Sequence, residues 1–188
     1  MPPVEPRDAA TVLLVRDGAQ GPEVYVMVRQ ASMPFAPGAV AFPGGGVDAA
    51  DRSAADAFVA CAVREIAEET GVALDPASLI LWDGWTTPEQ LPRRYRTWFY
   101  LAVLPDGAEP ADVSGEASWA GWTTPSAALG RIEAGEWRML APTHCSMLRL
   151  AAASSVAEIV AGCGPVEMFL PTHAGDLPAW AAALQAAP

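Results

Sequence analysis

Lysine is absent from this chain of 188 residues, and its eleven basic residues are all arginine. The chain also lacks an apolar run of the roughly 18 to 20 residues that a membrane-spanning helix requires. Its N-terminal segment, MPPVEPRDAA, has neither the basic start nor the apolar stretch of a secretory signal. We therefore expect a soluble, cytoplasmic protein that has no membrane partner.

Cysteine is scarce, and the three residues Cys61, Cys145 and Cys163 are odd in number and widely spaced. No C-x-x-C pair is present, which argues against both a zinc cluster and a disulfide framework. We expect these side chains to act as small buried hydrophobic groups.

Positive charge is also in short supply, since 22 acidic residues against 11 arginines give a net charge of −11. Binding to nucleic acid or to an anionic membrane requires a cationic surface, so both classes of partner are disfavoured. A small phosphorylated substrate stays compatible with this charge, because a bound metal ion can neutralise it locally.

The length of the chain fits one domain over residues 1–188. Runs rich in β-branched and aromatic residues predict strands at 9–16, 23–29, 78–85, 95–104 and 117–122. Apolar periodicity predicts helices at 54–70, 125–134, 142–153, 154–161 and 178–187. This order of elements predicts an α/β fold in which helices cover a mixed β-sheet.

A glycine-rich turn precedes the first of these helices. Pro43 lacks a backbone donor and is followed by glycines at 44–46, so we expect regular structure to stop there in a backbone-exposed loop. Ser53 is the predicted N-cap of the helix at 54–70, and Gly71 is its predicted C-terminal stop.

Three glutamates lie near the end of this helix. Glu65, Glu68 and Glu69 are related by steps of three and four residues, so their carboxylates lie along one helical face. A solvated acidic face is the plain alternative. The glycine turn favours a ligand site, because a loop without side chains lets backbone carbonyls reach the same place as acidic oxygens. Such hard donors suit Mg²⁺ or Mn²⁺ bound to substrate phosphates.

The segments FPGGG and REIAEETGV together resemble the Nudix box of the Nudix hydrolases, G-x5-E-x7-R-E-U-x-E-E-x-G-U, where U is aliphatic. The second half matches at every defined position from Arg64 to Val72. In the first half, Asp56 stands where the pattern has glutamate and Ala50 where it has glycine. We interpret this departure as a loop longer by about four or five residues, because loops absorb insertions at little cost. The resemblance implies the Nudix fold, a mixed β-sheet sandwiched between helices, here with extra C-terminal helices.

A second resemblance, to Nudix proteins related to peroxisomal coenzyme A diphosphatases, covers about residues 9–150 and leaves 151–188 as a helical extension. This subgroup has a histidine where the chain has Ala36. The matching positions are Arg29, Pro37-Gly38, Phe42 and Asp48-x-x-Asp51.

The family resemblance implies roles for individual residues. Glu68 and Glu69 are expected to be the principal metal ligands, together with a carbonyl of Gly45 or a neighbour. Glu65 is expected to bind a further metal ion or act as the base, and Arg64 to orient the carboxylates. Glu116 is the candidate for a distal acidic ligand, with a rim glutamate as the alternative. The candidates for substrate binding are Arg29, Gly44, Gly45, Gly46, Arg93, Arg94 and Arg96.

The predicted activity is metal-dependent hydrolysis of a diphosphate linkage, with coenzyme A or an acyl-coenzyme A as the first candidate substrate. The same chemistry on a nucleotide sugar, dinucleotide or oxidised nucleotide is the nearest alternative. A noncatalytic nucleotide-binding module is the alternative from a different class. The resemblance also suggests a homodimer, which is common in the family.

Overall fold

The computed structural model of the chain describes residues 4–33 and 35–170. The helix predicted at 178–187 lies outside the described residues. The strands are β1 (Arg7–Gly18), β2 (Gly21–Arg29), β3 (Ala39–Ala41), β4 (Gly44–Gly46), β5 (Ile80–Thr86), β6 (Tyr95–Val103), β7 (Ala117–Thr123), β8 (Arg138–Met139) and β9 (Met168–Phe169). The helices are α1 (Ala57–Thr70), α2 (Pro125–Glu133), α3 (Ala141–Ala151) and α4 (Val156–Ala161), with short 3₁₀ helices at Asp51–Ser53 and Pro76–Ser78.

The strands form one mixed sheet in the order β8-β3-β2-β1-β6-β5-β9, with β4 also paired to β1 and β7 to β2. The central pair β1 and β6 is parallel, with Arg7 opposite Tyr95 and Val15 opposite Val103. The neighbouring pairs β1 with β2 and β5 with β6 are antiparallel. The predicted α/β fold with a mixed sheet is thus confirmed.

Helices cover both faces of this sheet, because alternate residues of β1 enter two different cores. Ala10, Val12 and Leu14 pack in the core that α1 closes. Leu13 and Val15 point to the opposite face, where they share a core with α2, α3 and α4. Successive residues of β1 are apolar and alternate between the two faces of the sheet, so each face needs helices to cover it.

Most predicted elements are found within a few residues of their expected bounds. Strand β6 was expected at 95–104 and spans Tyr95–Val103, and α4 was expected at 154–161 and spans Val156–Ala161. The two-residue strands β8 and β9 were not predicted. Of the cysteines, Cys61 is buried in the α1 core, whereas Cys145 and Cys163 are partly buried.

None of the helices in the described part of the chain is both long enough and apolar enough to span a membrane.

Candidate active site

Helix α1 begins at Ala57, directly after Asp56. This start sets the positions of the helix glutamates. The Asp56 side chain accepts hydrogen bonds from the backbone amides of Phe58 (2.9 Å) and Val59 (3.1 Å), so it is the N-cap. The predicted cap, Ser53, ends a 3₁₀ helix instead, and its hydroxyl donates to the Ala50 carbonyl. The predicted start of this helix at residue 54 was therefore wrong, because a second capping side chain lies three residues further along.

The glycines before α1 form a strand rather than the expected irregular loop. Gly44–Gly46 pair antiparallel with Thr11–Ala9 of β1, beside the carboxylates of α1. The Gly44 amide donates to Oε2 of Glu69 at 2.8 Å. A Cβ atom at Gly45 would overlap the Glu65 carboxylate, so a larger residue at this position would displace that carboxylate.

Arg64 joins the loop, the glycine strand and the helix. Its guanidinium donates to both carboxylate oxygens of Asp51, from Nε at 3.2 Å and from Nη2 at 2.8 Å. Nη1 donates to Glu65 at 2.9 Å and to Glu68 at 3.0 Å, and Nη2 also donates to the Gly46 carbonyl at 3.0 Å. These bonds hold two helix carboxylates and one glycine carbonyl in a fixed relation.

The sequence did not identify Asp51 as the partner of Arg64. Its side chain is only 4% exposed, and the hydrogen bond from Arg64 holds its pKa below the usual range. Asp48 and Asp51 each accept a hydrogen bond from the other's backbone amide at 2.9 Å. The Asp48-x-x-Asp51 spacing was therefore the available signal, whereas Asp56 caps the helix.

Burial gives two of the helix glutamates unusual acid–base properties. Desolvation raises the pKa of Glu69 to about 7, the Glu65 and Glu116 carboxylates act in the same direction, and the Gly44 amide and Arg29 oppose it. Desolvation also raises the pKa of Glu65, against the opposing effect of Arg64. Carboxylates removed from water and close to one another favour a cation between them.

Glu65, Glu69 and Glu116 line a cavity of about 500 Å³ together with the glycine strand. Arg29 also lines this cavity, and its Nε donates to the Phe35 carbonyl at 3.1 Å. Most of the remaining wall is apolar. It includes Phe35, Val40, Phe42, Trp85, Leu91 and Leu140.

Three of the predicted substrate contacts are not among the residues that line this cavity. Arg94 is buried and donates to two backbone carbonyls, at 3.0 and 2.7 Å. Arg96 forms an ion pair with Asp8 at 2.6 Å. Arg93 is exposed in the loop before β6. The fold thus brings Arg29 and Glu116 to the carboxylates but places the other three arginines elsewhere.

The donor set at the carboxylate end fits a divalent cation, although it is not a ready-made cluster. Within residues 4–33 and 35–170, no three Asp, Glu, His or Cys side chains converge as a metal site. Glu65 and Glu68 both accept hydrogen bonds from Arg64, whereas Glu69 accepts one from the Gly44 amide, so the three glutamates do not share one partner. Glu68 has a side chain that is 60% exposed, so it has room to turn toward the other two. Carboxylate and carbonyl oxygens are the donors that Mg²⁺ and Mn²⁺ prefer.

Comparison with known proteins extends beyond the glycine and glutamate segments. A NUDIX domain matches residues 5–142. A Caenorhabditis elegans protein named "Putative nudix hydrolase 7" is 31% identical over 56% of this chain. The chain spans less than half of that relative, the match covering 46% of its length.

Solved structures share the fold. A NUDIX hydrolase from Alicyclobacillus acidocaldarius is 28% identical with a TM-score of 0.75, and the match covers 86% of this chain and 99% of that one. A Caenorhabditis elegans Ap4A hydrolase is 21% identical with a TM-score of 0.57, covering 83% and 98% respectively, and supports the fold alone. The names of the nudix hydrolase 7 relative and of the Alicyclobacillus acidocaldarius structure agree with the enzyme class predicted from the sequence. The chain belongs to the Nudix family.

Proposed function

We propose that the protein is a divalent-cation-dependent hydrolase that cleaves a diphosphate linkage in a nucleoside diphosphate derivative. One observation carries the proposal: the desolvated carboxylates Glu65 and Glu69 face a side-chain-free strand, Gly44–Gly46, inside one cavity. Buried carboxylates repel one another, so a site that keeps them together is suited to a bound cation. The cavity has room for a small molecule.

The residues of the chain divide the work at the carboxylate end. Glu69, fixed by the Gly44 amide, and Glu65, fixed by Arg64, would hold Mg²⁺ or Mn²⁺ together with Glu68 and a carbonyl of Gly45 or its neighbours. When bound, such a cation neutralises diphosphate oxygens and lowers the pKa of water. Arg64 keeps Glu65 in place through its bonds to Asp51, so the arginine acts on the carboxylates rather than on the substrate.

The cavity walls support a substrate that joins a diphosphate to a largely uncharged group. The cavity is lined both by the three carboxylates and by apolar side chains, among them Phe35, Trp85 and Leu91. The methylene groups of a pantetheine arm or an acyl chain would be stabilised by burial against such a wall. Coenzyme A or an acyl-coenzyme A is therefore our first candidate, with Arg29 as the cationic contact inside the cavity.

The test is hydrolysis of a diphosphate panel with Mg²⁺, with products identified by mass. The panel contains coenzyme A, acetyl-coenzyme A, a nucleotide sugar, a dinucleotide and an oxidised nucleoside triphosphate. We expect adenosine 3′,5′-bisphosphate and phosphopantetheine from coenzyme A. Cleavage of other members only would overturn the substrate assignment and keep the diphosphatase assignment.

Two variants test the site itself. Glu69→Gln and Glu68→Gln are expected to lower Mg²⁺-dependent kcat by about a hundredfold or more, since each removes a charge that stabilises the reacting diphosphate through the cation. Glu133→Gln, on the exposed face of α2, is the matched control and is expected to keep the wild-type rate. Unchanged hydrolysis by both site variants, or tight binding of nucleotides without turnover by the wild type, would refute the hydrolase.

A further inference from the structure

Arg7 differs from the other arginines of the chain. Its guanidinium makes no hydrogen bond, ion pair or ring contact to any residue that the structure describes. The other arginines all have such partners: Arg16 has Glu23, Arg52 and Arg96 have Asp8, and Arg149 has Asp83. Arg7 is therefore a cation without a counterion among residues 4–33 and 35–170, in a chain whose net charge is −11.

The sheet places Arg7 beside the cavity. Side chains two residues apart in a strand share a face, so Arg7 lies on the same face of β1 as Ala9 and Thr11, both of which line the cavity. On the neighbouring strand, Arg7 is opposite Tyr95, another cavity residue. Arg7 thus extends the same strand face beyond the residues that line the cavity, at the N-terminal end of β1.

A second, open pocket of about 680 Å³ lies at this end, and Arg7 lines it. Gly46 and Tyr95 line both this pocket and the cavity that contains Glu65 and Glu69, so the two spaces adjoin each other. The two acidic residues of the pocket are Glu5 and Asp8. Asp8 forms ion pairs with both Arg52 and Arg96, so these three side chains together carry one net positive charge beside Arg7 and Glu5.

Arg7 and the backbone that contacts Glu69 lie apart along β1. Thr11 is opposite Gly44, whose amide binds Glu69. Four residues of extended strand separate Arg7 from Thr11, which corresponds to about 13 Å. A diphosphate bound beside Glu69 thus leaves Arg7 available to a second anionic group of the same substrate.

We propose that Arg7 and the pocket beside it bind a phosphate monoester of the substrate, separate from the diphosphate that is cleaved. This inference rests on the proposed function and makes Arg7 a specificity residue for substrates that carry such a phosphate. A guanidinium provides paired N–H donors that match phosphate oxygens, and an unpaired arginine has them available.

The test compares coenzyme A with dephospho-coenzyme A, which lacks only the ribose 3′-phosphate. We expect the wild-type kcat/KM to favour coenzyme A by about tenfold, the effect of one charge-assisted hydrogen-bonded contact. Arg7→Gln is expected to remove this preference by raising KM for coenzyme A, without changing kcat or the kinetics with dephospho-coenzyme A. Arg131→Gln, on α2, removes the same charge elsewhere and is expected to keep the preference. A wild type without preference, or an Arg7→Gln variant that retains it, would overturn the proposal.

Binding separates this inference from the proposed function, since it needs no hydrolysis. Calorimetry with adenosine 3′,5′-bisphosphate and adenosine 5′-monophosphate is expected to show tighter binding of the bisphosphate by the wild type and equal binding by Arg7→Gln. That result supports Arg7 even if coenzyme A is not cleaved. Equal binding of the two nucleotides by the wild type, or no binding of the bisphosphate, counts against Arg7 even if the protein hydrolyses diphosphates.

Discussion

Glu69→Gln is expected to stabilise the metal-free protein at alkaline pH while it abolishes activity. Glu69 is 7% exposed, and its burial raises the pKa from an ordinary value of 4.5 to about 7. Ionisation of this group in the folded state is therefore costly. Glutamine keeps an oxygen that can accept the hydrogen bond from the Gly44 amide but carries no charge.

The size and sign of the effect follow from proton linkage. Between pH 4.5 and about 7 the folded protein binds the Glu69 proton more tightly than the unfolded chain does, so stability falls as pH rises through this window. At about 1.4 kcal/mol per pKa unit, the full difference is about 3 kcal/mol. The variant does not lose this stability, so its advantage grows from near zero at pH 4.5 to about 3 kcal/mol at pH 8.

Urea unfolding followed by tryptophan fluorescence, with EDTA present, measures this difference at intervals between pH 4.5 and 8. Glu68→Gln is the control, because the Glu68 side chain is 60% exposed and pairs with Arg64 across one helical turn. We expect this variant to change the free energy of unfolding by no more than about 0.5 kcal/mol at every pH. Equal stability of wild type and Glu69→Gln at pH 8 would refute the burial argument. A difference that does not vary with pH would point to packing rather than charge.

Two further predictions concern the neighbours of these carboxylates. Asp51→Ala is expected to lower the free energy of urea unfolding by about 2 kcal/mol and to lower kcat, because Arg64 loses both hydrogen bonds to its buried partner. Asp56→Ala removes a helix cap, so it should lower the free energy of unfolding by about 1 kcal/mol and leave kcat unchanged. Gly45→Ala is expected to lower thermal stability, because its Cβ would overlap Glu65, whereas Gly46→Ala meets only the Asp8 carbonyl at 3.9 Å. The opposite ranking in either pair of variants would contradict the geometry.

The sequence predicted those elements whose burial repeats with a regular period. Strands β1, β2 and β6 each contribute apolar residues to the cores of the sheet, and α1 carries its buried residues at helical spacing. Strand β4 was not predicted because Gly44–Gly46 has no side chains to show alternation. Its strand character comes from the pairing with β1, which is a property of the tertiary structure.

Counting positions from the motif did not identify Asp51 as the partner of Arg64, for a related reason. A motif counts positions along the chain, and the expected carboxylate eight residues before Arg64 is Asp56. In space, however, the lengthened loop turns back through the 3₁₀ helix Asp51–Ser53 and presents Asp51 to the guanidinium. Asp56 is then left to cap α1. The loop therefore supplies two carboxylates: Asp56 caps the N-terminus of α1, and Asp51 pairs with Arg64. A shorter loop would have to combine these two roles in one residue or omit one of them.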